Sequence, residues 1–231
     1  MKKATKISLI ISGSSFLTFI AWTLLVSLVD VKAIGPEGAE VGFSTINAAI
    51  RDLIGSHMML YTVTDWLSLI PIAFMLGFAL LGLIQWIKRK RITAVDFSIL
   101  ALGAFYVILM STYLLFEYLV INYRPLLIDG VLEASYPSST TMLVLCVMCT
   151  SAILLYDRIK SRAMRFTVIG LIAAFSAFMV IGRIISGVHW FSDIIGGVLI
   201  SASFVSLYFA VLNMKKRLDK ETKQWYNHIT E

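Results

Sequence analysis

Six long apolar stretches dominate this chain and decide what it can become. They run Ile7–Val29, Trp66–Ile87, Phe97–Tyr123, Ser138–Tyr156, Phe166–Gly182 and Ile194–Met214. A helix needs about 20 mostly apolar residues to cross the hydrocarbon of a bilayer. The expected fold is therefore all-α, a polytopic bundle of six transmembrane helices forming one domain over residues 1–231. Composition agrees. The chain is 58% hydrophobic and 15% charged, with mean hydropathy +0.84, where a soluble domain has about 45–50% and about 25%. The first stretch begins after Met1-Lys2-Lys3, as a secretory signal would. A signal core spans only about 7–15 residues, and no small-x-small cleavage site follows cleanly, so a retained first span is expected.

The connections between stretches sort by charge. Lys2, Lys3 and Lys6 precede the first, and Lys88, Arg89, Lys90 and Arg91 join the second to the third. Arg158, Lys160, Arg162 and Arg165 join the fourth to the fifth, and Lys215, Lys216, Arg217, Lys220 and Lys223 follow the sixth. All of these fall on one side, which the positive-inside rule makes cytoplasmic. Both termini, including the tail 215–231, are then expected inside a cell membrane. The net charge of +6 is explained by topology and contact with anionic lipid, and nucleic acid is not needed as a partner. Cys146 and Cys149 have the spacing of half a metal site, but no second pair completes it. They read as packing residues, and no metal is expected.

The first outer connection, Asp30 to Asp65, is long. Ile46, Ala49, Ile50, Leu53 and Ile54 recur at helical spacing, with Ser44 as an N-cap and Gly55 as a stop. A short amphipathic helix in the outer interface is expected, serving as a lid over the bundle or as one wall of a lipid portal. Trp66, Trp190 and Tyr136 read as interfacial anchors.

Only Lys32, Arg51, Arg124 and Arg183 are basic residues of the outer side. Arg124 and Arg183 end the third and fifth stretches, and His189 and Asp193 stand at the start of the sixth. Four residues apart on a helix, His189 and Asp193 would share a face. A carboxylate that accepts from one imidazole nitrogen fixes the tautomer and frees the other nitrogen to attack. Two arginines can hold a phosphoryl group and neutralise its transition-state charge. Pro137 reads as an early residue of a helix whose N-terminus faces outward, which attracts anions. Glu117, seven residues before Arg124, would lie on the same helix face about 10 Å deeper. There it would pair with Arg124 or Arg183, or be protonated by burial.

These elements resemble those of the type 2 phosphatidic acid phosphatase / vanadium haloperoxidase superfamily. Arg183-Ile184-Ile185-Ser186-Gly187-Val188-His189-Trp190-Phe191-Ser192-Asp193 is similar to its R-x5-H-x3-D element. Tyr123-Arg124-Pro125 resembles the end of its K-x6-R-P element, and Pro137-Ser138 the start of P-S-G-H. The resemblance implies that His189 is a nucleophile forming a phosphohistidine and that Asp193 orients it. It further implies that Arg124, Arg183 and Ser138, with the backbone N–H groups of Ser139 and Thr140, hold phosphate. No cofactor is implied, because the arginines supply the charge a metal would.

The chain departs from the pattern at three positions. Glu117 replaces the opening Lys, Ser139-Thr140 replace Gly-His, and Gly182 replaces a Ser. The missing His is the family's general acid, and losing such a group costs about 10²–10⁴-fold for an alkoxide leaving group. A phosphate leaving group, with a second pKa of about 6, departs largely unprotonated. The expected function is therefore a membrane lipid phosphatase that favours a polyprenyl diphosphate. Two other functions remain open: a lipid-phosphate binder or transporter without turnover, and a lipid phosphotransferase. His57, in the outer loop, would serve as a substitute acid or stand as an interfacial surface residue.

Overall fold

A computed structural model describes residues 2–230 of the protein. Among them six helical segments are long and apolar enough to cross a membrane. The helices are α1 (Lys2–Leu28), α2 (Ser44–Ile54), α3 (Met58–Leu67), α4 (Leu69–Arg89), α5 (Phe97–Tyr118), α6 (Ser139–Arg158), α7 (Arg162–Ser186) and α8 (Phe191–Thr230). A two-stranded antiparallel ribbon, β1 (Lys32–Ala33) with β2 (Glu40–Val41), sits in the loop between α1 and α2.

The all-α bundle is as expected, and its boundaries differ for physical reasons. The second span begins at Met58 rather than Trp66 and is built from α3 and α4 in series. The two part at Ser68 because Pro71 has no N–H to give and its ring crowds the carbonyl four residues back, at Leu67. The third span ends at Tyr118 rather than Tyr123. The chain then forms an irregular loop, held by the bridges Tyr123–Ala134 and Ile128–Val131.

The most deeply buried spans are α6 and α8. α1 and α6 both pack closely on α8. The loop before α6 comes close to α8 at Gly196, where a Cβ would be 2.6 Å from the Tyr136 ring, and α6 itself does so at Gly197, where a Cβ would be 3.2 Å from Thr141 Cβ. Phe19, Phe116 and Tyr136 form an aromatic cluster with centroids 5.7–6.2 Å apart, knitting α1, α5 and the loop before α6. Each such pair contributes ~0.5–1.5 kcal/mol beyond its buried area. Large apolar residues such as Leu17, Leu76, Val107 and Leu171 stay exposed on the outer surface, as contact with hydrocarbon requires.

α2 forms as expected, although its cap is Phe43 in a left-handed conformation and Ser44 is its first helical residue. Ile46 and Leu53 are exposed, while Ser44 and Asn47 face inward and are buried. Tyr136 and Trp190 are not interfacial anchors. Each is only 2% exposed, whereas Trp66 is exposed. Tyr136 Oη shares a hydrogen bond of 2.7 Å with Thr23 Oγ1, and Trp190 Nε1 donates to Tyr123 O at 2.7 Å. Buried aromatic polar tips need such partners.

Candidate functional site

The loop before α6, the end of α7 and the turn into α8 meet at one end of the bundle. α7 ends at Ser186, and Gly187 carries the chain round with φ +69°. A side chain there would be strained by that φ and would also meet Gly55 O at 2.5 Å. The turn delivers Val188, His189 and Trp190, all buried, before α8 begins at Phe191. His189 therefore lies ahead of the helix, and it does not share a helical face with Asp193 as the four-residue spacing had suggested.

Asp193 makes no direct hydrogen bond with His189. Its Oδ1 accepts from Asn122 Nδ2 at 2.9 Å and Ser192 Oγ at 3.3 Å. Its Oδ2 accepts from Trp190 N at 3.0 Å and from Ser135 Oγ at 2.5 Å. Ser135 Oγ is also 3.0 Å from His189 Nδ1. A serine thus stands between the carboxylate and the imidazole. His189 Nε2 is buried with no partner. Burial, then the positive fields of Arg124 and Arg183, hold the imidazole well below its ordinary value of 6.5, against an opposing contribution from Ser135. Both effects favour the neutral ring.

Arg183 is 2% exposed. Its Nη2 donates to Thr140 Oγ1 at 2.7 Å and Asp65 Oδ1 at 3.1 Å, and its plane lies 5.1 Å from the Tyr61 ring centroid. Arg124 Nε is 3.1 Å from Glu133 Oε2 without hydrogen-bond alignment. Nε and Nη1 of both arginines are buried and have no hydrogen-bond partner. Ser138 caps α6, accepting from Thr141 N at 3.4 Å. Pro137 lies before that cap and so precedes the helix. Ser139 and Thr140 form the first turn of α6, whose N–H groups have no partner within the helix.

Two expected modulators are placed elsewhere. Glu117 is exposed and forms no ion pair with Arg124 or Arg183 among the described residues. α5 ends one residue beyond it, so it shares no helix with Arg124. It lies instead in a small cleft with Tyr113, Pro137 and Ser139. His57 is exposed at the start of α3, its Nε2 3.1 Å from Ile54 O.

Several residues of the site carried no signal in the sequence. Asn47 accepts from Ser192 N at 3.1 Å and donates to Ser192 Oγ at 2.9 Å. Asn122 Oδ1 accepts from Gly42 N at 3.1 Å. Together they tie the first outer loop to the Asp193 cluster. Arg51 on α2 lies 5.5 Å from the Trp190 ring centroid and lines a narrow cleft with His189 and Gly187. On another side, an apolar crevice of about 150 Å³ runs between α4, α5 and α6. Met75, Tyr106, Leu109 and Leu143 line it, and it reaches Ser139 and Thr140.

A sequence profile of the PAP2 superfamily matches residues 116–217. These include Glu117, Arg124, Ser135, Thr140, Arg183, His189 and Asp193. A crystal structure described as the first transmembrane PAP2 type phosphatidylglycerolphosphate phosphatase, from Bacillus subtilis, matches the fold with TM-score 0.58 and 18% identity. That match covers 89% of this chain and 96% of the other. No curated protein sequence matches the chain.

Proposed function

Since residues 116–217 match a sequence profile of the PAP2 superfamily, we propose that the chain is a membrane lipid phosphatase with His189 as its nucleophile. The observation that carries this reading is a group of buried, unpartnered polar atoms: His189 Nε2 and the Nε and Nη1 atoms of Arg124 and Arg183. Buried donors on two guanidiniums demand an anion. An unprotonated imidazole nitrogen beside them suits attack on phosphorus. Nε2 forms the N–P bond while the P–O bond to the leaving group breaks, and water then releases phosphate from the phosphohistidine. The apolar crevice ending at Thr140 suits a lipid chain next to that phosphoryl group.

The preferred substrate is a lipid diphosphate, such as a polyprenyl diphosphate. Thr140, where the family has its acid, has a hydroxyl engaged by Arg183, and a hydroxyl is no acid near neutral pH. A departing lipid monophosphate needs no such help. The distribution of Lys and Arg supports inner termini and a site on the outer face. The test is phosphate release by the purified protein in detergent, from a polyprenyl diphosphate and from phosphatidic acid, alongside His189→Ala. Faster release from the diphosphate, abolished by the substitution, is expected. Equal rates on both lipids would refute the diphosphate preference.

A second reading is a lipid-phosphate binder without turnover, favoured by Thr140 alone. Acid-labile phosphate trapped on the wild-type protein and absent from His189→Ala would exclude it.

A further inference from the structure

We propose that Ser135 is a positioning residue that sets the tautomer of His189, so that the charge of Asp193 reaches the imidazole through a hydroxyl and leaves Nε2 bare. The proposal rests on His189 being the nucleophile. Two of the four groups facing Asp193, the Trp190 N–H and the Asn122 amide NH2, can only donate. A carboxylate offers about four lone-pair positions. Asn122, Ser192, Trp190 and Ser135 fill them, so none remains for an imidazole N–H.

The single hydroxyl proton of Ser135 goes to Asp193 Oδ2. The opposite arrangement, with that proton on His189, would leave Ser135 Oγ and Asp193 Oδ2 as two acceptors 2.5 Å apart with no hydrogen between them. With its proton committed, Ser135 Oγ faces His189 Nδ1 at 3.0 Å only as an acceptor. Nδ1 therefore carries the imidazole hydrogen and Nε2 carries the lone pair. Ser135 itself is 3% exposed, and its backbone N–H is pinned to Asn122 O at 2.9 Å. When Nε2 bonds to phosphorus and the leaving oxygen takes the P–O electron pair, the ring becomes an imidazolium that keeps its Nδ1 hydrogen. Ser135 accepts that hydrogen and passes the stabilisation on from Asp193. Water attack later returns the N–P electron pair to Nε2.

The test uses the full-length protein in detergent with ¹⁵N-labelled imidazoles, the His189 resonances being identified by their loss in His189→Gln. The wild type is expected to show a protonated Nδ1 and an unprotonated Nε2. Ser135→Thr should keep that pattern, and Ser135→Ala should populate both tautomers. An Nε2-protonated wild type, or an Ala variant with an unchanged tautomer, would overturn the proposal. In kinetics, Ser135→Ala should lower kcat by roughly 10²-fold with KM little changed. Adding Asp193→Asn to it should cost less than about twofold more, because the connection is already cut. Losses that multiply would also overturn the proposal. The tautomer readout needs no turnover, so a wild type that releases no phosphate would defeat the phosphatase reading alone.

Discussion

Thr140 Oγ1 accepts a hydrogen bond of 2.7 Å from Arg183 Nη2, so the residue standing where the superfamily has its acid is attached instead to an arginine that the proposed function assigns to phosphate. Restoring the acid should broaden the substrate range. Thr140→His borders the crevice of about 150 Å³, which gives the ring room. Phosphatidic acid hydrolysis should rise by ~10²-fold or more, and diphosphate hydrolysis should change by less than about threefold. Parallel phosphate-release assays on the two lipids check this. Equal gains on both would mean that the leaving group is not what limits the monoester.

The depressed affinity of His189 for a proton sets the acid limb of activity. Burial first, then Arg124 and Arg183, lower it well below 6.5. Only the neutral ring attacks, and kcat/KM reports the free enzyme. Its kcat/KM should therefore hold steady as pH falls through 6.5 and drop only at clearly lower pH. Arg124→Ala removes a positive charge, makes protonation easier and should move that limb upward. A wild-type limb at or above pH 6.5 would contradict this arrangement.

Gly182 stands where the superfamily carries a Ser, and the packing of α3 on α7 explains it. A Cβ at Gly182 would lie 2.8 Å from Thr64 Cγ2. Gly182→Ser should force α3 outward, weakening the hold of Tyr61 and Asp65 on Arg183. The expected cost is about 1–3 kcal/mol of stability with a raised KM. Thr64→Ser, which removes the offending methyl, should recover both. Thermal unfolding in detergent and steady-state kinetics of the single and double variants check the pair. A double variant no better than Gly182→Ser would place the strain elsewhere.

Arg51 is the outer arginine for which no carboxylate partner is found among the described residues, and it lines the His189 cleft. Arg51→Ala should raise KM by about tenfold, ~1.4 kcal/mol, with kcat nearly unchanged. A fall in kcat at constant KM would show that α2 shapes the turn at His189 rather than receiving substrate.

The bundle was legible because hydropathy over a span is a local property, as in α1 and α6, and Arg124, Arg183, His189 and Asp193 stood out as polar groups at span ends. Ser135, Asn122, Asn47 and Asp65 were not legible. Each acts through a partner 54–145 positions away, and no periodicity encodes such a pairing. The spacing of His189 and Asp193 misled for a related reason: Gly187 turns the chain, and the helix starts only after the histidine. The expectation that Glu117 pairs with Arg124 or Arg183, or is protonated by burial, failed because its stretch of apolar sequence runs to Tyr123 while the helix stops at Tyr118.

The four donors around Asp193 come from the loop between α5 and α6, the turn into α8 and the first turn of α8 itself. Through Asn47 and Asn122 the first outer loop joins the same cluster. A chain in which the sixth helix had not yet entered the bilayer would leave these donors without an acceptor and the outer loops without a common anchor. Docking of the sixth helix and the setting of the loops at this end of the bundle are thus coupled through one carboxylate.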